Sequence, residues 1–249
     1  MDLLEYSRTA NDFKRHPWEL SRLKILKFFL EHKIKSKDTI LDLGSGDAFI
    51  AKSIAAAYPA SQVYAVDINY NVGTINKLSE GQKNILFKTS IENDQSGQKI
   101  DVVLLMDVLE HIEMPANLLR ELNKIIKKET VYFITVPAFQ SLFTEHDVLL
   151  GHYRRYNFHQ LEQLLLKDAL QIIDGGYFFT SLLIFRVFQK IFKLKMTEDG
   201  LYNWKGGDLL TSLITSLFYF EFKISWYLGR IGIIIPGLTC YCLCRRLPS

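Results

Sequence analysis

Apolar and polar positions along this chain fall into blocks, and the period changes from block to block. Short, nearly all-apolar runs appear at "TILDL" (39–43), "SQVYAVDI" (61–68), "NILFKTS" (84–90), "IDVVLLMD" (100–107) and "ETVYFITVP" (129–137). Between them lie stretches whose apolar residues recur every three or four positions: "AFIAKSIAAAY" (48–58), "YNVGTINKLSEG" (70–81) and "ANLLRELNKIIKK" (116–128). The first kind fits strands buried on both faces, the second amphipathic helices. Their succession predicts an α/β fold, a doubly wound and mostly parallel sheet with helices on both sides. Residues 1–35 also read as helical. Pro17 suits a first helical position with Glu19 just behind it, and His16 and Trp18 read as cap and packing.

After Pro137 the rhythm breaks. A loop rich in His, Arg and Tyr, "AFQSLFTEHDVLLGHYRRYN" (138–157), precedes a helix, "FHQLEQLLLKDA" (158–169). "LQIIDGGYFF" (170–179) and "GLTCYCLCRRL" (237–247) read as the last two strands. Two apolar helical stretches, 181–195 and 208–230, lie between them. The expected organisation is an N-terminal helical cap (1–37), a core (38–180), an apolar helical insert (181–230) and a final core strand (231–249).

Composition narrows the class. The chain has 249 residues, 48% of them apolar and 23% charged, enough for one α/β domain with an elaboration. A net charge of +3 carries no dense basic stripe, so nucleic acid is not an expected partner. The opening "MDLLEYSRTANDFKRHPW" has no apolar core of a signal peptide, which points to the cytoplasm. No run reaches the ~18 uncharged apolar residues of a spanning helix. The nearest, 209–244, is broken by Glu221, Lys223, Arg230, Gly232, Pro236 and Gly237. Cys240, Cys242 and Cys244 alternate on one strand face, a spacing for buried small side chains rather than disulfides or zinc.

"ILDLGSGDAFIAKSIA" (40–55) carries the chemistry. A strand runs through a glycine pair straight into a helix. A dinucleotide loop needs a third glycine where Phe49 stands. A phosphate-binding loop needs a glycine where Ala51 stands, and Lys52 falls inside the helix; an ATPase of this kind is the weaker alternative. An adenosyl-methionine loop fits better. Asp42 precedes Gly44 and Gly46, which let the backbone approach a ligand. Asp67 ends the next strand, where a carboxylate can accept both hydroxyls of a ribose.

These segments, with "IDVVLLMDVLEHIEMP" (100–115), resemble class I S-adenosylmethionine-dependent methyltransferases, nearest to the ubiquinone and menaquinone branch. "VPAFQSLFTEHDVLLGHYRRYN" is similar to a bacterial subgroup in which a "VPA…HD…GHYRRY" stretch follows the fifth strand. The resemblance implies a seven-stranded sheet with an antiparallel last strand, and S-adenosylmethionine as cofactor. It implies that Asp42, Gly44 and Gly46 line the methionine moiety, Asp67 holds the ribose and Ile68 packs on the adenine. Ser90 and Ile91 would meet the adenine edge, while Met106, Asp107 and Val108 would close the pocket.

Three groups stand where an acceptor would arrive. Asp107, Glu110 and His111 fit a helix cap, a general base at His111, or a divalent ion such as some relatives with an acidic-x-x-Glu-His segment bind; no resident metal is the expectation, because Asp107 is shorter than the glutamate those relatives use. His146 with Asp147, and His152 in "GHYRRY", are the other candidate acid–base groups. Arg154 and Arg155 could clamp an anionic acceptor beside Tyr153 and Tyr156, or one arginine could pair with an acidic neighbour while the tyrosines pack. In "SLLIFRVFQKIFKLK" (181–195) a Phe-rich face stands opposite Arg186, Gln189, Lys190, Lys193 and Lys195. That pattern fits a membrane-surface helix, a lid or a dimer contact. The expected reaction is methyl transfer to an oxygen of an amphiphilic or lipid-like small molecule, in the cytoplasm or at the inner face of a membrane. The competing class is a non-catalytic module of the same fold that scaffolds a membrane complex.

Overall fold

The computed structural model describes residues 14–91, 99–192 and 204–246. Helix α1 (Pro17–Leu30) leads into β1 (Thr39–Leu43), α2 (Phe49–Ala57), β2 (Gln62–Val66), α3 (Val72–Ser79), β3 (Ile85–Lys88) and β4 (Ile100–Met106). A 3-10 turn (Leu109–His111) precedes α4 (Pro115–Ile125) and β5 (Ile126–Pro137). Then come α5 (Glu145–Leu149), α6 (Phe158–Lys167), β6 (Leu170–Phe178), α7 (Thr180–Ile191), α8 (Asp208–Arg230) and β7 (Thr239–Arg246).

The seven strands form one sheet in the order β3-β2-β1-β4-β5-β7-β6. β7 runs antiparallel to both of its neighbours, and the pairs from β3 to β5 are parallel. The fold class expected from the sequence is the one observed. Two-sided burial explains the nearly continuous apolar strands. In β4, Val102 and Leu104 join one core layer while Val103 and Leu105 join the other. In β7, Tyr241 and Leu243 face the first layer, and the three free, buried cysteines face the second.

One boundary differs. Ile126, Lys127 and Lys128 continue a helical pattern in the sequence but belong to β5. Ile126 pairs with Ile100, and the ladder then shifts before resuming at Val131. Within that irregularity Glu129 takes a left-handed φ of 66°. Ile126 is buried in the same layer as Leu119 and Leu122 of α4, so one apolar periodicity spans two elements.

Of residues 1–35, expected to be helical, 1–13 lie outside the described residues and the helix spans Pro17–Leu30; His16 caps it, accepting from Trp18 N at 3.4 Å, and Glu19 closes a capping box. It packs against α8, with Phe29 within ring contact of Phe222, Phe133 and Tyr241. Helices α1 and α8 thus share the core with the sheet. Among the described residues no helix is long and apolar enough to cross a membrane.

Candidate active site

Between β2 and β4, at the carboxyl end of β1, the sheet's winding reverses, and open α/β sheets bind ligands at such a point. The turn after β1 runs through Gly44 (φ 72°) and Gly46 (φ 52°), both left-handed. A Cβ on Gly44 would stand 2.7 Å from Val108 Cγ2. The glycine is therefore required by the turn and by the neighbouring strand end. Asp42 is 2% exposed and accepts from Ser45 Oγ at 2.8 Å. Burial pushes its carboxyl up to about 7, although the Ser45 hydrogen bond pulls the other way.

Asp67, just beyond β2, accepts from Gly46 N through one oxygen and from Asn69 N through the other, both at 2.9 Å. It fixes the glycine turn and keeps lone pairs for a ligand, since a carboxylate has about four. Ile68 stands 86% exposed beside it. Ser90 is exposed and Ile91 half-buried beyond β3, and Met106, Asp107 and Val108 occupy the end of β4. The order β3-β2-β1-β4 sets all ten predicted donor-binding residues along four adjacent strand ends.

Four more residues enter this edge without having been singled out in the sequence. Arg15 ion-pairs with Asp47 and Glu19, and its guanidinium lies 4.1 Å from the Phe49 ring centroid. Arg22 of α1 ion-pairs with Asp107 Oδ2 at 2.8 Å, while Thr135 Oγ1 donates to Asp107 Oδ1 at 2.9 Å. These contacts hold Asp107 in a left-handed conformation (φ 59°) that a non-glycine residue rarely adopts. Arg15 precedes the His16 cap and Arg22 lies within α1, so no helical spacing joins them in the sequence.

A second group forms on the 3-10 turn. Tyr153 N donates to Glu110 O at 2.8 Å, Tyr156 Oη to Leu109 O at 3.2 Å and Arg154 Nη2 to Glu113 O at 2.7 Å. These bonds stitch the "GHYRRY" loop to the turn and bring His152 to His111, ring centroids 4.5 Å apart and nearly perpendicular. Ligand atoms of Glu110, His111 and His152 all lie within 4.8 Å of one another. Glu110 is fully buried, and both of its carboxylate oxygens lack a hydrogen-bond partner. Burial first, and then the charge of Asp107, push it well above the usual carboxylate range.

His152 Nδ1 sits 3.0 Å from Asp147 Oδ1. Asp147, 1% exposed, also takes Arg155 Nε at 2.8 Å, Arg155 Nη2 at 3.0 Å and Thr144 N at 2.8 Å. Burial raises this carboxyl, but the hydrogen bonds of His152 and Arg155 and the Arg155 charge prevail and hold it below the usual range.

This geometry divides the predicted catalytic and substrate residues. Asp147 rather than His146 joins His152, and His146 sits half-buried on α5 outside the three-donor group. Arg155 meets the buried charge of Asp147 instead of facing an acceptor. Tyr156 is 5% exposed and spends its hydroxyl on the backbone, whereas Tyr153 is 54% exposed with Arg154 over its ring. Asp107 is engaged by Arg22 and Thr135.

A family model described as a methyltransferase domain matches residues 14–173. The chain belongs to this methyltransferase domain family. The matched residues hold both the glycine turn and the His111–His152 group, and the insert and β7 lie beyond them. A ubiquinone biosynthesis O-methyltransferase of Yersinia pestis (strain Pestoides F) is 32% identical over 103 residues, 39% of this chain and 42% of that protein. The chain thus spans less than half the length of the curated relatives it matches. Phosphoethanolamine N-methyltransferase 2 of Haemonchus contortus, solved with S-adenosyl-L-methionine, shares the fold at 18% identity and a TM-score of 0.59, covering 99% of this chain and 57% of that one. The cyclase SpnF shares it at 13% identity and a TM-score of 0.59, covering 96% and 86%. One methyltransferase-like fold therefore serves several chemistries, and the site must carry the functional argument.

Proposed function

We propose that this methyltransferase domain binds S-adenosylmethionine at the β1–β4 edge and methylates an oxygen of an amphiphilic small molecule. The observation that carries this reading is the pair of carboxylates flanking the left-handed glycine turn, Asp42 beneath it and Asp67 beside it. When bound, the donor supplies an activated methyl group on a sulfonium. The residues fit such a ligand. Asp42 is a buried carboxylate that would face the cationic methionine end, Asp67 an acceptor for a ribose diol, and Ile68 an open apolar platform for the base. Lys52 speaks against the phosphate-loop alternative: its N–H donates to Ala48 O, within the first turns of α2.

The acceptor side rests on Glu110, His111 and His152, a polar group adjoining the donor edge where an acceptor oxygen would be held and activated. An amphiphilic acceptor is supported by the insert, whose α7 packs over the loop that carries the site. Lys190 of α7 donates to Ser141 O, and the outer face of α7 is apolar. In this reading the protein works in the cytoplasm, peripherally at a membrane.

Calorimetry with S-adenosylhomocysteine tests the donor half. One site is expected, weakened at least tenfold in Asp67→Ala, which removes a charged acceptor from a buried diol. A folded protein that takes up no S-adenosylhomocysteine at hundreds of micromolar would sink the proposal. For the acceptor, the protein is incubated with labelled methyl donor and separated lipid and aqueous extracts. Label confined to protein or RNA fractions refutes the small-molecule assignment. Donor binding with no label transferred anywhere favours a non-catalytic module.

A further inference from the structure

We propose that the inward face of α7 carries an oxyanion subsite, formed by Arg186, Gln189 and Lys190 beside the Arg155–Asp147 pair, and that the acceptor bears a phosphate group which it holds. The inference deepens the methyl-transfer reading and rests on it for the identity of the ligand, though not for the geometry. A surface helix ordinarily turns its apolar stripe to the core and its charges to water. Beyond the half-buried Leu182 and Leu183, α7 is built the other way round. Arg186 is half-buried and Gln189 only 9% exposed, whereas Ile184, Phe185, Phe188 and Ile191 stand in the open. A polar face turned inward gains nothing from apolar burial and calls for a polar occupant.

That face lies against the loop after β5. Lys190 donates to Ser141 O. Arg155 meets the same loop, its N donating to Gln140 Oε1 at 2.8 Å and its Nη1 to Ala138 O at 3.4 Å. Arg186 lies within reach of the Arg155–Asp147 pair: burial, and then the charge of Arg155, draw its guanidinium down from the ordinary value, with Asp147 opposing.

Asp147 does not use up this positive charge. It already takes His152 Nδ1, Arg155 Nε and Nη2, and Thr144 N, which fills the about four lone-pair sites of a carboxylate. It matches the charge of Arg155 and leaves those of Arg186 and Lys190 in excess. Glu110 adds little negative charge, because burial holds its carboxyl well above the usual range. Two cations in excess suit a phosphate, close to a dianion at neutral pH, better than a carboxylate. A guanidinium offers five N–H donors and an ammonium three, so each can hold its present neighbour and an anion together.

Gln189 supplies an independent sign. Its buried Oε1 has no hydrogen-bond partner, a state that folded proteins rarely leave unrelieved. A half-turn of the amide presents its NH₂ to an oxyanion instead. The cationic role thus passes from Arg154 and Arg155, where the sequence suggested it, to α7. Arg155 is a positioning residue here, fixed by Asp147 and linked through it to His152.

The test uses the full chain, with and without S-adenosylhomocysteine, titrated by calorimetry with decyl phosphate and decyl maltoside below their micelle concentrations and with inorganic phosphate. Decyl phosphate should fill one site at least tenfold more tightly than decyl maltoside, and weaken as salt rises. Arg186→Gln and Lys190→Gln should each cost it about tenfold and leave decyl maltoside unchanged, and Arg186→Lys should recover part of the loss. Lys190 is exposed, so its variant is safe for folding. Inorganic phosphate that displaces decyl phosphate supports the subsite, and the ratio of the two affinities tells a free phosphate from an amphiphile's headgroup. Decyl phosphate bound equally by wild type and by an Arg186→Gln protein that still takes up S-adenosylhomocysteine overturns the inference. So do anionic vesicles that float wild type but neither glutamine variant while decyl phosphate stays unbound, which would assign these cations to a lipid surface. Wild type that binds S-adenosylhomocysteine but not decyl phosphate refutes the subsite alone. The converse refutes the methyl-transfer reading and leaves the subsite standing.

Discussion

Asp42 concentrates two opposing demands in one carboxyl group. Its burial lifts the pKa to about 7, well above an unfolded aspartate near 3.9. The folded apo protein therefore holds more protons than the unfolded chain between about pH 4 and pH 7, and the group's contribution to stability falls as pH rises through that window. At about 1.4 kcal/mol per tenfold change in proton affinity, the cost above pH 7 approaches about 4 kcal/mol at most. Asp42→Asn removes it. Thermal melts should show the apo variant matching wild type near pH 4 and exceeding it at pH 8. Donor binding should show the reverse: S-adenosylhomocysteine affinity should be lower in the variant at pH 8, and wild-type affinity should fall as pH drops below about 7. A variant melting no higher than wild type at pH 8 would mean that the carboxylate is already well compensated. The identity of Asp42, Gly44, Gly46 and Asp67 was legible in the sequence, because turn and ligand chemistry restrict those positions to few residue types. The reasons were less legible. Gly44 reads as room for a ligand, yet in the fold it also avoids Val108, a residue far along the chain.

At the scale of elements, strands buried on both faces announce themselves through unbroken apolar runs, so the sheet could be read directly. What could not be read is the crossing of one element over another. α1 reads as an amphipathic cap, but Arg22 reaches Asp107 at the end of β4, and Arg15, just before the helix, reaches Asp47 in the glycine turn. The "GHYRRY" loop shows the same limit. Its residue types signalled a polar site, whereas the division of labour, Arg155 to Asp147 and His152 to His111, depends on backbone bonds between segments distant in sequence. The α1 contact makes its own prediction. Arg22→Ala removes a charge-assisted bond from the strained Asp107 and should lower stability by about 2 kcal/mol. It should also weaken S-adenosylhomocysteine binding, because the end of β4 loses its clamp. Denaturant titration and calorimetry read the two effects. Unchanged donor affinity despite the stability loss would confine α1 to a packing role.

At the scale of the whole molecule, the helical insert carries exposed apolar stripes that the core does not explain. On α7 the half-buried Arg186 and buried Gln189 face the protein, while Ile184, Phe185, Phe188 and Ile191 are 65%, 52%, 49% and 68% exposed. On α8 Thr215, Phe218, Phe222 and Ser225 are buried, and Leu213, Leu217, Phe220, Ile224 and Tyr227 form a second exposed stripe at helical spacing. Ile231, Ile233 and Ile234 extend the exposed apolar surface beyond α8. Extensive exposed apolar patches mark sites of contact with a partner or a membrane. Of the cations expected to support membrane contact, Lys193 and Lys195 lie outside the described residues, Arg186 is half-buried and Lys190 is engaged with Ser141 O. Apolar insertion, at roughly 1.5–3 kcal/mol for each large side chain fully buried, would therefore be the larger contribution to such contact. It would set the flank of the acceptor site at the lipid surface, where an amphiphile is concentrated. In vesicle flotation the protein should rise with liposomes containing anionic lipid and remain bound in part at high salt. Phe185→Ser with Phe188→Ser, or Leu213→Ser with Leu217→Ser, should leave it at the bottom of the gradient while the core and the donor site persist. Wild type that stays at the bottom and elutes at twice its monomer mass would show instead that a second copy of the chain covers this face, and the lipid-like acceptor would lose its main support.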